Sequence, residues 1–186
     1  MNSSPLSTFI PRRRQHGFVL IVALVLLLVL TLLGLAAAQS TSLQERMAGN
    51  ARNQNLAFQA AEAGLRAGEG CLAAAACTNF TANTGGTYAF NASSIPAVPL
   101  WNQAGFWTTP ANVMTYAAAT ATSVPAVAAQ PEIIIEQMPP MAAPGGNIAQ
   151  QQYGGGAPTI QLFRVTALGT GGDSNSQVML QSMWGP

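Results

Sequence analysis

The chain contains no lysine and only one histidine, His16, and charge of either sign is scarce. Its basic groups are seven arginines, three of them clustered as Arg12, Arg13 and Arg14. Holding the phosphates of a nucleic acid takes clustered lysine or arginine. Beyond Gly17 only the scattered Arg46, Arg52, Arg66 and Arg164 remain, which argues against direct nucleic-acid binding. A product beginning at Phe18 would carry no histidine at all. That removes histidine acid–base chemistry, Ser–His and Cys–His nucleophile pairs and most zinc sites. Two cysteines, Cys71 and Cys77, are too few for a four-ligand metal cage. The residue supply therefore argues against an enzyme, and no catalytic residue, cofactor or metal ligand is assigned. The formal net charge of +1 belongs to the first residues, since the side chains from Phe18 onward sum to −2.

What the sequence does have is a long apolar run. Phe18 to Ala38 is 21 residues with one polar side chain, Thr31. As a helix it would reach about 30 Å, the hydrocarbon thickness of a bilayer. Three readings compete for it: a secretory leader removed whole, an ordinary membrane anchor, or a leader and an anchor with a cut between the two. A secretory leader usually has an apolar stretch of only about 7–15 residues, although Ala36-Ala37-Ala38-Gln39-Ser40 imitates its cleavage site. A plain signal anchor fits the length, with the arginines holding the N-terminus in the cytoplasm. That reading does not explain why the run begins abruptly at Gly17-Phe18, nor why helical character continues past Ala38.

From Gln39 to Glu69 there is no proline and helix formers abound. Leu43, Met47, Phe58, Ala61, Leu65 and Leu72 recur at helical spacings as one stripe, interrupted by Gln54. Glu62 and Arg66 stand four apart in the favourable order. The expectation is one helix from Phe18 to about Glu69, half in lipid and half outside it. A helix apolar on all sides suits lipid, and it equally suits a bundle of like helices.

These residues resemble the type IV pilins. A basic leader, then Gly17-Phe18, then an unbroken apolar helix is how a class III prepilin begins. Leu43 to Asn50, "LQERMAGN", and Leu56 to Glu69, "LAFQAAEAGLRAGE", are similar to the N-terminal region of PilX-type minor pilins. The resemblance covers roughly residues 12 to 70. It implies prepilin peptidase cleavage between Gly17 and Phe18 and N-methylation of Phe18. It also implies a single-pass inner-membrane subunit with a cytoplasmic N-terminus and a periplasmic head, later drawn into a surface pilus. The implied partners are other minor pilins, the major pilin, a tip adhesin and the inner-membrane assembly platform. Major pilins carry a glutamate five residues into the mature chain, where this sequence has Val22. A glutamate there without its partner would be a buried unpaired carboxylate, at a cost of several kcal/mol. Its absence suggests a subunit with no neighbour ahead of it, or one docking by other contacts; the resemblance makes this a minor pilin at or near the tip, helping to prime assembly and so motility and adhesion.

After Gly70 charge nearly vanishes: only Glu132, Glu136, Arg164 and Asp173 remain. Either this is a small β domain with long polar loops, or its surface is made to pack against sister subunits. Thr159–Leu168 and Gln177–Trp184 read as strands joined by the Gly/Asp/Asn-rich "GTGGDSNS". Arg164 reads as a solvated or edge charge. Residues 132–140, "EIIIEQMPP", read as another strand, stopped by Pro139 and Pro140, with Glu132, Ile134 and Glu136 on one face. Its two glutamates are about 13 Å apart along the backbone, too far for a hydrolytic carboxylate pair. Residues 87–90 and 112–117 are weaker strands, while 117–131 and 141–158 read as loops. Trp101, Phe106 and Trp107 either fill the core or anchor a partner, the core being favoured. Cys71 and Cys77 would point apart on a continuous helix, so a disulfide requires the helix to break first, Gly68 and Gly70 being the candidate places. Two free thiols are the alternative.

The expected fold is α+β and pilin-like, a long N-terminal helix with a small antiparallel sheet as its head. Its expected parts are a leader (1–17), a transmembrane or filament-core helix (18–38), an amphipathic continuation (39–70) and a β-rich periplasmic head (71–186). Two other functions fit some of these features. One is a type II secretion pseudopilin of the kind that also lacks the glutamate. The other is a secreted adhesin or binding module freed by cutting after Ala38.

Overall fold

A computed structural model describes residues 17–90, 98–143 and 159–185. One helix, α1 (Phe18–Ala73), is followed by a head in which a sheet carries the core. The chain forms two compact units, one through Met47 and one from Ala48 onward.

In the first unit, α1 is apolar all round from Phe18 to Ala38, and none of its most apolar stretch is buried. It is long and apolar enough to cross a bilayer. The one polar side chain of the run is satisfied within the helix, as lipid demands: the Thr31 hydroxyl donates to Leu28 O (2.8 Å), and just beyond the run the Thr41 hydroxyl donates to Ala37 O (3.2 Å).

In the second unit the strands are β1 (Thr87–Tyr88), β2 (Met114–Thr115), β3 (Glu132–Gln137), β4 (Met141–Ala142), β5 (Thr159–Ile160), β6 (Phe163–Thr170) and β7 (Gln177–Trp184). The main sheet runs β1-β3-β6-β7, with β2 also on β3. β3–β6 and β6–β7 are antiparallel, but β1 pairs with β3 in parallel, so the sheet is mixed rather than purely antiparallel. Thr159–Leu168 is not one strand: its first two residues leave the sheet to pair with Met141–Ala142. The expected strand 112–117 is a strand only at Met114–Thr115 and gives way to a five-residue helix, α2 (Tyr116–Thr120), which runs into the expected loop 117–131 and is started by Thr115 Oγ1 accepting from Ala118 N. Of the expected loop 141–158, residues 144–158 lie outside the described residues.

Three consecutive isoleucines make sense because β3 is covered on both faces. Ile133 and Ile135 join Val165, Leu72, Cys77 and Phe80 on the helix side. Ile134 packs with Tyr88, Phe106 and Val113 on the other. The helix meets the sheet through small residues: Ala57, Ala60, Ala61, Gly64, Ala67, Gly68 and Leu72 are its buried positions. Of the stripe read from the sequence, Ala61 and Leu72 belong to this face and Leu65 packs beside it, whereas Leu43, Met47 and Phe58 are exposed. The reason is distance. A Cβ on Gly68 would sit 2.6 Å from Val165 Cγ1, so the helix lies too close to the sheet for bulk.

α1 passes through Gly68 and Gly70 and ends only at Ala73, beyond the expected Glu69. Ala75 adopts φ +52°, Ala75 N donates to Leu72 O (3.0 Å) and Ala76 N to Cys71 O (3.0 Å). This is a Schellman closure, with alanine where glycine is usual. The reversal brings the Cα atoms of Cys71 and Cys77 to 5.4 Å, and the two cysteines are joined by a disulfide. Closing so short a loop contributes about 2 kcal/mol.

Candidate assembly surfaces

At the start of α1, Gly17 has φ +118°, a left-handed conformation open to glycine and strained for other residues. Helical geometry begins at Phe18, whose side chain is exposed. Val22 lies one turn further on, also exposed. No charged residue occurs between Phe18 and Glu45, so a carboxylate at position 22 would stand alone in an apolar helix. Arg12–Arg14 and His16 lie outside the described residues.

The head's charge is concentrated in one pair. Glu136 and Arg164 are cross-strand neighbours, and Arg164 Nε and Nη2 both donate to Glu136 Oε2, at 2.9 and 2.8 Å. Arg164 is therefore not the solvated charge its sequence context suggests, because its partner is 8 % exposed. Burial raises the Glu136 pKa, and the charge and hydrogen bonds of Arg164 oppose that rise. Burial raises the pKa of Glu132 as well, with no such relief. Tyr88 is raised by burial and, secondarily, by the charge of Glu136. The two glutamates of β3 thus differ: one is held by an arginine and the other is merely half-buried. Two more carboxylates are engaged, Glu62 with Arg66 (2.6 Å) and Glu69 with the Ser182 hydroxyl (2.6 Å).

Phe106 is part of the core, with Trp101 and Trp107 packed against it. Phe106 is buried, its ring 5.7 Å from Tyr88 and 6.0 Å from Trp107. Trp107 Nε1 donates to Trp101 O (2.9 Å), and the Tyr88 hydroxyl donates to Asn112 O (2.8 Å). Among the described residues, no three His, Cys, Asp or Glu side chains converge as a metal site. What the geometry offers is an apolar helix, a close helix–sheet joint and a head almost without free charge, an arrangement suited to packing against other chains.

Two family models match. One, described as PilX N-terminal, covers residues 16–66, and the other, described as Type IV pilus assembly protein PilX C-term, covers residues 68–186. The chain belongs to the PilX family. It is a type IV pilus minor pilin of α+β fold, and the family is structural rather than catalytic. PilX membership and the apolar helix together support anchoring in a membrane and association with the pilus. No curated protein and no solved structure matches. The PilX N-terminal match takes in Gly17, Phe18 and Val22. The PilX C-terminal match extends the likeness over the head, where the sequence alone showed only general style. The Glu136–Arg164 pair was missed in the sequence because its partners are 28 residues apart. The small-residue face was legible in principle, since Ala57, Ala60, Ala61, Gly64, Ala67 and Gly68 keep helical spacing.

Proposed function

We propose that this PilX-family minor pilin primes pilus assembly as part of a tip complex, and through that supports motility and adhesion. The observation that carries this reading is Val22. α1 offers no carboxylate at the position where a filament subunit would hold the N-terminal amine of its neighbour. A subunit with no neighbour ahead of it has no use for that group. In this reading prepilin peptidase cuts between Gly17 and Phe18 and methylates the new amine of Phe18. The arginines hold the N-terminus in the cytoplasm while the head folds in the periplasm. That compartment permits the Cys71–Cys77 bridge. Phe18–Ala38 then passes from lipid into a bundle of pilin helices, both of which accept a helix apolar on every side. The assembly platform, other minor pilins, the major pilin and a tip adhesin are the partners.

A type II secretion pseudopilin would share this mechanism, but the matching models describe pilus assembly. Deleting the protein and counting surface pili separates the two. The expected result is loss of nearly all pili, restored by the intact chain, with enzyme secretion unchanged. Normal piliation with failed secretion contradicts the proposal.

A further inference from the structure

The two edges of the main sheet are treated differently. On one side, β3 is covered by two strands of only two residues each. On the other, β7 presents eight residues as the end strand. The hydrogen-bond alternation along β7 follows from two anchors. Met138 N donates to Leu162 O where β3 meets β6, and Gly171 N donates to Ser176 O at the β6–β7 turn. Counting by the antiparallel rule, Val178, Leu180, Ser182 and Trp184 exchange their backbone bonds with β6. Gln177, Met179, Gln181 and Met183 then direct their N–H and C=O groups outward. Among the described residues, no backbone or side-chain hydrogen bond reaches those four backbones.

Proteins usually blunt such an edge with lysine or another charge, proline, a bulge or a short strand. β7, "QVMLQSMW", has no charge and no proline, and it pairs with β6 residue for residue along its whole length. The nearby charges are already engaged: Arg164, opposite Met183, holds Glu136, and Glu69 accepts from Ser182. Apolar side chains flank the edge on both faces. Val178, Leu180 and Trp184 lie on the helix side, and Met179 and Met183, 37 % and 56 % exposed, on the other. Methionine adapts its shape to whatever packs on it.

A second copy of the chain fits this edge poorly. Close approaches pair Gly171 with Asn53, Gly169 with Ala57 and Ala61, Gly64 with Ala167, and Gly68 with Val165. Within the head, therefore, α1 runs antiparallel to β6 and parallel to β7. Antiparallel pairing of β7 with its own copy would point the head segments of the two helices in opposite directions, and a minor subunit at the tip, as proposed above, has other tip subunits rather than sister copies beside it. We propose that the outer edge of β7 is a β-augmentation site that receives an extended, uncharged segment of a different protein, with apolar residues at alternate positions. Main-chain bonds at Gln177, Met179, Gln181 and Met183 supply affinity, and the flanking apolar side chains select the incoming sequence. Charge in that segment would be left without a counter-ion and is disfavoured.

The test uses the full chain in the cells that make it. Benzoylphenylalanine is placed singly at Gln177, Met179, Gln181 and Met183, and photo-crosslinked residues are mapped by mass spectrometry. The expected result is one foreign chain joined from all four positions, its attachment point stepping by two residues as the label does. Joining to a second copy, scattered attachment, or no product at any position overturns the proposal. Met179→Pro removes one outward N–H and leaves the bonds to β6 intact. It should cut the yield from Gln181 about tenfold while the chain accumulates normally. Should that variant fail to accumulate, Met179→Lys, which keeps the amide and adds an edge charge, decides by the same readout. Unchanged yield in either accumulating variant overturns the proposal.

Discussion

Replacing Gly169 with alanine should destabilise the head by about 3 kcal/mol or more. Gly169 lies where β6 passes closest to α1. A Cβ there would collide with Ala57 O and Ala61 N and lie 2.8 Å from Ala61 Cα, all of them helix backbone. No rotamer change relieves a clash with backbone, so the helix must move off the sheet. Moving it opens gaps around Ile133, Ile135 and Val165, which are fully buried. Thermal unfolding of the full chain in detergent, followed by the near-ultraviolet tryptophan signal, should show a midpoint roughly 10 °C lower. Gly49→Ala is the control, because nothing lies within 4 Å of its added Cβ. It should leave stability unchanged or raise it by up to about 1 kcal/mol. A Gly169→Ala midpoint within a degree or two of wild type would contradict the close helix–sheet joint.

Arg164→Ala should be the second severe change, and its severity should depend on pH. The substitution strands Glu136 in a site where it is 8 % exposed. Removing one partner of a fully buried pair costs about 3–5 kcal/mol; with Arg164 partly exposed, about 2–3 is expected at pH 7. The folded-state pKa of Glu136 is raised by burial, and Arg164 opposes the rise. A raised carboxylate pKa means the folded state binds more protons than the unfolded one. Stability from Glu136 and Glu132 therefore falls as pH rises from the ordinary carboxylate value of 4.5 through their raised folded values. Without Arg164 the pKa of Glu136 rises further and that fall steepens. The cost of Arg164→Ala should then be largest at neutral pH and shrink towards pH 4.5. Urea unfolding at several pH values measures this, and a cost that is flat or grows on acidification would refute it. Glu136→Gln combined with Arg164→Met should cost less than Arg164→Ala at pH 7, because no charge is left buried.

Sequence reading succeeded where the signal is local. α1 starts at Phe18 because twenty-one residues leave the backbone no other way to satisfy itself in lipid. β3 and β7 stand within a residue of their expected limits, marked by β-branched and apolar runs ending at turn residues. It failed where distance decides. The stripe read by apolar spacing runs through Ala61 and Leu72, which are buried, and also through Leu43, Met47 and Phe58, which are exposed. The sheet selects the smallest residues, whose helical spacing is legible in the sequence but whose use is decided by Gly169 lying against Ala61. β1 and β2 are two residues long and owe their pairing to β3 rather than to their own propensity. Gly17, Phe18 and Val22 lie within six consecutive residues, so the proposed processing site rests on the sequence alone. The open edge of β7 was not legible there, because being an edge is a property of strand order and no single strand encodes it.

The central claim is that this PilX-family chain is cut at Gly17-Phe18 and joins the pilus with its apolar helix intact. The most direct test is mass spectrometry of the chain's N-terminus in pili sheared from cells. The account predicts a chain beginning at N-methylated Phe18, without residues 1–17, present at far lower abundance than the major subunit. A chain beginning at Gln39, one retaining residues 1–17, or its absence from sheared pili would contradict it.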